Sequence, residues 1–393
     1  MSLKGVALLA FVWVNVNLVS GFGGVVDDLE LETQLKLINK PPLKTIQTEY
    51  GDVVDCIDIN KQLAFDHPLL KNHKIQRRPS SRPSKEATSP AVKPSRIGLS
   101  SEVCPSGTVP IRRTRKEDLL RMRSVTNAVA VENPSESNPN NHVSYPFYYI
   151  MEKLTDRIFH GAKANINAWN PKVSENQSST AQLWIESGTP DVLNSIQAGW
   201  MVSSQLYGDD YTRLTTFWTA DGYQKTGCYN ALCSGFVQTD KNVFLGAHLL
   251  NTSIYDGAQY EIVIHVYQDP KSKNWWLVAE GVIMGYWPAA LFTSLTNGAE
   301  QVGWGGRASG TANGPSPQMG SGYLPDGNYY HSGSFRQIFY VNQSNALQGP
   351  SNEARITYFI DKPSCYDLKF YGFQDEYMGY AFMFGGPGGA CGA

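Results

Sequence analysis

Charge is scarce in this sequence. Asp, Glu, Lys and Arg make up 17% of 393 residues, and the formal net charge is −2. A chain so close to neutral has no basic field to meet a phosphate backbone, so no nucleic-acid partner is expected. Long apolar runs are also missing: after the first two dozen residues nothing is apolar enough to span a bilayer, and no membrane partner is expected. There is no CxxC or HxxxH spacing, no HExxH, no Walker loop, no GxSxG and no acidic metal cluster. These absences argue against zinc, phosphate-cradle and serine-nucleophile chemistry, and no metal or cofactor is expected. No repeat of domain-building length is evident, and the C-terminal two thirds hold no long amphipathic helix, only the short WPAALFTSL stretch.

What the sequence has in quantity is aromatic and glycine residues: 9 Trp, 21 Tyr and 36 Gly. With little charge, that composition favours strands over helices. From about Tyr149 onward, strand-like segments recur: KANINAW, AQLWIESG, SIQAGWMVS, TRLTTFWTA, GFVQ, NVFLGAHL, YEIVIHVYQD, WWLVAEGVIMGYW, FRQIFYVN and YAFMFGG. Asn, Gly, Asp and Pro punctuate them at hairpin spacing, and YEIVIHVYQD alternates as a half-buried antiparallel strand does. The pattern predicts an all-β fold, an antiparallel β-sandwich or flattened barrel, preceded by a mixed N-terminal segment.

The first residues read as a secretory signal. A lysine precedes an apolar run from Val6 to Val14, and small residues follow at Ser20 and Gly21, so residues 1–21 are expected to be removed and the protein secreted, to the extracellular space or cell wall. ELETQLKLINK has helical spacing, DVVDCIDI resembles a short strand or turn, and KEDLLRMRSV suits one short helix. KIQRRPSSRPSKEATSPAVKPSRIG has almost no large apolar group and reads as an exposed linker. A second breaker-rich stretch, 132–144, marks a boundary open to proteolysis. Six cysteines on the secretory route suggest three disulfides, and nearest-in-region pairing joins Cys56 to Cys104, Cys228 to Cys233 and Cys365 to Cys391. Sequons at Asn176, Asn251 and Asn342 fit the same route as glycosylation sites.

Residue chemistry alone does not single out a site. His265 alternates with apolar neighbours in a strand and suits a structural role. Glu186, Glu261, Glu280 and Glu300 lie in or beside predicted strands, where two carboxyls facing across a groove would divide acid and base roles. Trp200, Tyr207, Trp218, Trp276, Tyr286, Trp287 and Trp304 suit either a groove wall or a core.

Longer stretches are more specific. GDVVDCIDINKQLAFDHPLLKNHKIQRRPS and CPSGTVPIRRTRKEDLLR resemble the activation peptide of the neprosin family of secreted plant proteins. AGWMVSSQLYGDDYTRLTTFWTADGYQKTGCYNALCSGFVQ, NWWLVAEGVIMGYWPAALF, VGWGGR, QMGSGYLPDG and the final CYD…FGGPGGAC resemble its catalytic domain, in the same order. The resemblance implies a zymogen: residues 22–140 as activation peptide and linker, and 141–393 as a β-sandwich prolyl endopeptidase of the glutamic type. In that family two glutamates serve, one as general base on a water and the other protonating the leaving group or holding the oxyanion. The family pattern places the first in I-E-x-G-W and the second at the end of a W-G-G-E turn. Here those positions are Gln197 and Arg307. Glutamine has no titratable carboxyl and arginine only donates, so the two-carboxylate mechanism is absent from those positions. The reading is a catalytically impaired family member that binds proline-rich peptides in a groove lined by Trp200, Tyr207, Tyr286, Trp287 and Trp304, with its own activation peptide as a second partner. The alternatives are an active proline-cleaving endopeptidase using Glu186 and Glu280, and a cell-wall polysaccharide-binding module.

Overall fold

The structure is a computed structural model that describes residues 23–84, 93–99, 102–121, 141–144, 146–150, 158–311, 314–350 and 356–391. The expected signal peptide, and most of the expected boundary at 132–144, lie outside the described residues. No described helix is long and apolar enough to cross a membrane.

Two antiparallel sheets face each other across one large core. The eight-stranded sheet runs in the order Cys228–Tyr229, Arg213–Thr219, Asn194–Val202, Ser178–Ser187, Gln301–Thr311, Pro146–Ile150, Ile356–Ile360, with Asn141–Ser144 pairing beside the path. The nine-stranded sheet runs Val237–Gln238, Val282–Trp287, Trp275–Ala279, Glu261–Gln268, Gly161–Asn167, Gly333–Val341, Tyr380–Gly385, Asp367–Phe373, with Leu347–Gln348 beside the path. Alternation makes the core: Ile196, Ala198, Trp200 and Val202 from one sheet meet Ile262, Ile264 and Val266 from the other. The expected β-sandwich is the observed fold.

Three sequence expectations are corrected. NVFLGAHL is turn and coil, not a strand. Its apolar residues instead pack inward as a loop, Val243, Leu245 and Leu249 joining the core. The Trp-Gly-Gly stretch is no turn; it lies inside the eleven-residue strand Gln301–Thr311, paired on both sides. Glycine serves close packing there, since a Cβ on Gly306 would come 2.6 Å from Met319 Sδ and from the Phe384 ring. The Ser- and Pro-rich linker is docked where it is described: Ser95 is fully buried, its N–H donating to Glu261 O at 2.7 Å while Glu261 N–H donates to Lys93 O at 3.0 Å. Few large apolar groups are needed for that docking, because the start of the strand Glu261–Gln268, beyond its pairing with Trp275–Ala279, satisfies the backbone.

The N-terminal segment has its own small sheet, Pro42–Gln47, Val53–Asp58 and Thr108–Arg112, following the helix Gly23–Ile38. Disulfide Cys56–Cys104 staples it, and Cys228–Cys233 and Cys365–Cys391 form as expected.

Candidate functional site

Gln197 is in the strand Asn194–Val202 between core residues Ile196 and Ala198, so its side chain leaves the opposite, outer face of the eight-stranded sheet. The same parity argument puts Gln182, Trp184 and Glu186 on that face from the neighbouring strand, and Gln301 and Arg307 from the strand beyond. Gln197 is opposite Trp184, while Arg307 is opposite Thr180. The two positions therefore share a face but not a row. Two strands sideways and four residues along put their backbones on the order of 15 Å apart. Gln182 occupies the row between, flanked by Gly199 and Gly305.

A chain of hydrogen bonds runs across this face. Gln182 Nε2 donates to Gln197 Oε1 at 2.7 Å. Gln197 Nε2 donates to the Tyr223 hydroxyl at 3.1 Å and to Ser195 Oγ at 3.3 Å. Ser195 Oγ donates to Glu186 Oε1 at 2.9 Å, and Gln301 Nε2 donates to the other oxygen at 2.5 Å. Tyr223 is presented by a loop wound around Asp221, whose carboxylate accepts from the N–H groups of Gln224, Lys225 and Thr226. Burial pushes the Glu186 carboxyl above the usual range, partly offset by the bonds from Ser195 and Gln301. Burial pulls Arg307 down to about 10, which leaves it a cation at neutral and acidic pH. Both Gln197 and Arg307 are buried, at 5% and 9% exposure.

Family comparison covers most of the chain. The neprosin domain matches residues 175–387, and the neprosin activation peptide matches residues 45–146 ahead of it. The chain belongs to the neprosin family. Among solved structures it is similar to scytalido-glutamic peptidase with a transition state analog inhibitor, at 9% identity over 62% of this chain and 98% of that one, with a TM-score of 0.34. The Ruminococcus gnavus IT-sialidase CBM40 bound to alpha2,6 sialyllactose matches at 10% identity over 44% and 90%, TM-score 0.24. CG-16, a homodimeric agglutinin from chicken liver, matches at 9% over 44% and 92%, TM-score 0.21. Superpositions this loose do not place one site upon another.

Within the neprosin domain, the expected groove aromatics divide. Trp200, Trp287 and Trp304 are core residues at 0% exposure, two of them tied by indole N–H bonds, Trp200 to Asn167 O and Trp304 to Lys163 O. They cannot line a groove, because their strand parity points them between the sheets. Trp218 belongs to the same core. Tyr286 and Trp276 lie on the outer face of the nine-stranded sheet, packed with Ala64 of the activation segment. Of the five, only Tyr207 is on the side of Gln197, clustered with Met201, Phe217 and Tyr229, and its hydroxyl is bonded to Thr215 and Asn230.

The Glu186 and Glu280 pair is also divided. Glu280 forms a two-residue hairpin turn with Gly281 in the other sheet, at φ 50° and 76°, and its carboxylate accepts from Val263 N–H at 2.5 Å. Glu261 is clamped by Arg336 through both oxygens, at 2.5 and 2.6 Å, and Glu300 accepts from Gly188 N–H. His265 is kept neutral, pushed down to about 3 by burial with Lys163 and Arg82 adding to it. Among the described residues no group of three or more His, Cys, Asp or Glu is arranged to hold a metal.

Sequence reasoning missed Gln182, Ser195, Tyr223 and Gln301. The signal for two of them was present in AQLWIES and SIQAGW: opposite the apolar residues of each strand stand Gln182 and Glu186, and Ser195 and Gln197, polar groups on one face beside Trp184 and Gly199. Tyr223 and Gln301 carried no such signal, since loop winding and strand register bring them in.

Proposed function

We propose that this protein is a secreted neprosin-family protein that binds peptides on the outer face of its eight-stranded sheet and does not hydrolyse them. The observation that supports this is the pair of groups at the positions where the resemblance puts the catalytic glutamates: a hydrogen-bonded amide at Gln197 and a buried guanidinium at Arg307. Hydrolysis by the glutamic route needs a carboxylate to take a proton from water and a second group to return it to the leaving amine. An amide does neither, and a guanidinium that stays charged gives up no proton at working pH. What remains suits recognition: Gln182 and Gln197 present paired donors and acceptors, and Arg307 offers a cation for a carboxylate or a peptide carbonyl. Proline-rich segments of extracellular or cell-wall proteins are the favoured ligands. Asn176, exposed in a loop, is the glycosylation site best placed for modification, whereas the Asn342 amide already donates to Gln348.

One observation favours a second reading. Glu186 is in the same hydrogen-bond chain as Gln197, and its raised pKa suits an acid. An active enzyme would then work with one carboxyl and one amide. The purified full-length protein, and the domain freed of its N-terminal segment, should be incubated with proline-containing reporter peptides from pH 3 to 7. No cleavage is expected, together with measurable binding of the same peptides by calorimetry. Cleavage that disappears in Glu186→Gln would replace the proposal with the second reading, and binding of oligosaccharide in place of peptide would replace it with a glycan-binding one.

A further inference from the structure

The activation segment is expected from its family to be a removable cover. Its described contacts are also those of a structural element. Among the described residues, no hydrogen bond or ion pair of the segment reaches Gln182, Glu186, Ser195 or Gln197. The segment lies on the outer face and edges of the nine-stranded sheet, and Asp52 and Arg112 also reach Arg213 on the eight-stranded sheet and Tyr207 beside it.

Four features make that contact part of the fold. The first is apolar: Leu70, 1% exposed, belongs to the main core of the sandwich, and Ala64, Phe65 and Ile75 pack on the outer-face cluster that holds Trp276 and Tyr286. Without the segment that sheet would present a broad aromatic face to water. The second is backbone pairing. Gln62 caps the edge strand Val237–Gln238, donating to Gln238 O at 3.0 Å and accepting from Gln238 N–H at 2.8 Å. Ser84 pairs with Ala346, and Pro94 pairs with Glu261, as short parallel bridges. The third is a buried ion pair, Arg213 Nη1 to Asp52 Oδ2 at 2.7 Å, both at most 3% exposed, with Arg112 on the other carboxylate oxygen at 2.8 Å. The fourth is Asp269, a sandwich carboxylate that accepts from Ser80 N–H and Oγ and from Gln76 Nε2. An exposed sheet edge and a bare aromatic face are each unfavourable, and a buried Arg213 that keeps Asp209 and Gly246 O would still lose its most buried carboxylate, so the segment answers all three at once.

We propose that residues 42–121 form a permanent non-covalent subunit of the neprosin domain, which stays bound to the sandwich after the chain is cut between the two. The Cys56–Cys104 disulfide and the three-stranded sheet keep the segment in one piece, and no disulfide joins it to the sandwich, so retention depends on this surface alone. The proposal does not depend on whether the outer face of the eight-stranded sheet hydrolyses or only binds peptide.

The test uses the full chain with a specific protease recognition sequence introduced between Arg121 and Asn141. After complete cutting, gel filtration at neutral pH and low micromolar concentration should return both fragments in one peak, in equal amounts and at the elution volume of the uncut protein. Separate elution of the two fragments overturns the proposal. Gln62→Ala combined with Asp52→Ala should release at least half of the segment after cutting, while circular dichroism shows the uncut double variant still folded. Full retention in a folded, cut double variant also overturns it, because the surface named here would then not be what holds the segment. If the insertion prevents folding, the two pieces are co-expressed as separate chains through a secretory host, where co-purification supports the proposal and independent secretion refutes it.

Discussion

Gln197 stands among groups that would serve a carboxylate as well as an amide. Gln182 Nε2 already donates to its oxygen, and the Tyr223 hydroxyl, which now accepts from its nitrogen, can turn and donate instead, while Ser195 keeps its one proton for Glu186. Gln197→Glu is therefore expected to fold with a stability change of about 1 kcal/mol or less at pH 5, measured by denaturant unfolding. A loss of several kcal/mol would mean the site rejects a charge. Glu280 allows a sharper test of pH. Burial, with Glu261 adding to it and the Val263 N–H partly opposing, pushes it up to about 7. A carboxyl whose folded value is raised contributes stability that is complete below its ordinary value of 4.5 and is lost as pH rises through about 7. His248 has the opposite sign. Burial and then Arg213 push it down to about 4, so its contribution is complete above 6.5 and is lost as pH falls toward 4. The two slopes oppose each other in the same window. In Glu280→Gln the melting temperature should therefore climb more steeply from pH 4.5 to 7 than in the parent, and an unchanged slope would show that Glu280 is not buried as described.

Two glycines show how differently elements depend on a missing side chain. Gly281 has φ 76° in the hairpin joining Trp275–Ala279 to Val282–Trp287, and a Cβ there would touch nothing within 4 Å. Only backbone strain opposes Gly281→Ala, so about 1 kcal/mol is expected. Gly199 has no positive φ, but its Cβ would lie 2.0 Å from Ala181 O and 2.5 Å from Gln182 Cα, inside the paired strands that carry the candidate site. Gly199→Ala must push apart the central strands, at a cost of roughly 3 kcal/mol or more. Thermal denaturation of the two variants side by side should show the larger loss at Gly199. Equal losses would mean the strands yield more easily than their register implies.

For the molecule as a whole, the sandwich and its N-terminal segment share one core. Leu70 lies outside the neprosin domain in sequence yet is buried among that domain's residues, so Leu70→Ala should destabilise the full chain by about 2–5 kcal/mol. A loss below about 1 kcal/mol would show that the segment merely rests on the sandwich. The same whole-molecule view governs any restored chemistry. Gln197→Glu or Arg307→Glu alone should give no detectable cleavage of proline-containing peptides, since one carboxyl does not fill both roles. The double variant is the one expected to show some, after the N-terminal segment is cut. Cleavage by either single variant at the level of the double would break the assignment of the pair.

The sequence by itself determined the fold class and the family, and it suggested the three disulfides that the structure pairs. Alternating apolar residues in segments such as YEIVIHVYQD leave only a half-buried sheet as a way to bury them, while of the disulfides only Cys228–Cys233 is close in the chain and the other two are closed by the fold. It also fixed what Gln197 and Arg307 cannot do, because titration is a property of the residue. Tertiary structure decided where things face. Trp200, Trp287 and Trp304 are as suited by composition to a groove as to a core, and strand parity alone sent them inside. Glu186 and Glu280 look alike in the sequence; register carried one to Gln197 and a hairpin left the other in the opposite sheet. The Ser- and Pro-rich stretch gave almost no apolar signal, yet it docks, because backbone hydrogen bonds to Glu261 and the side chains of Gln76 and Ser80 on Asp269 hold it where few apolar groups do.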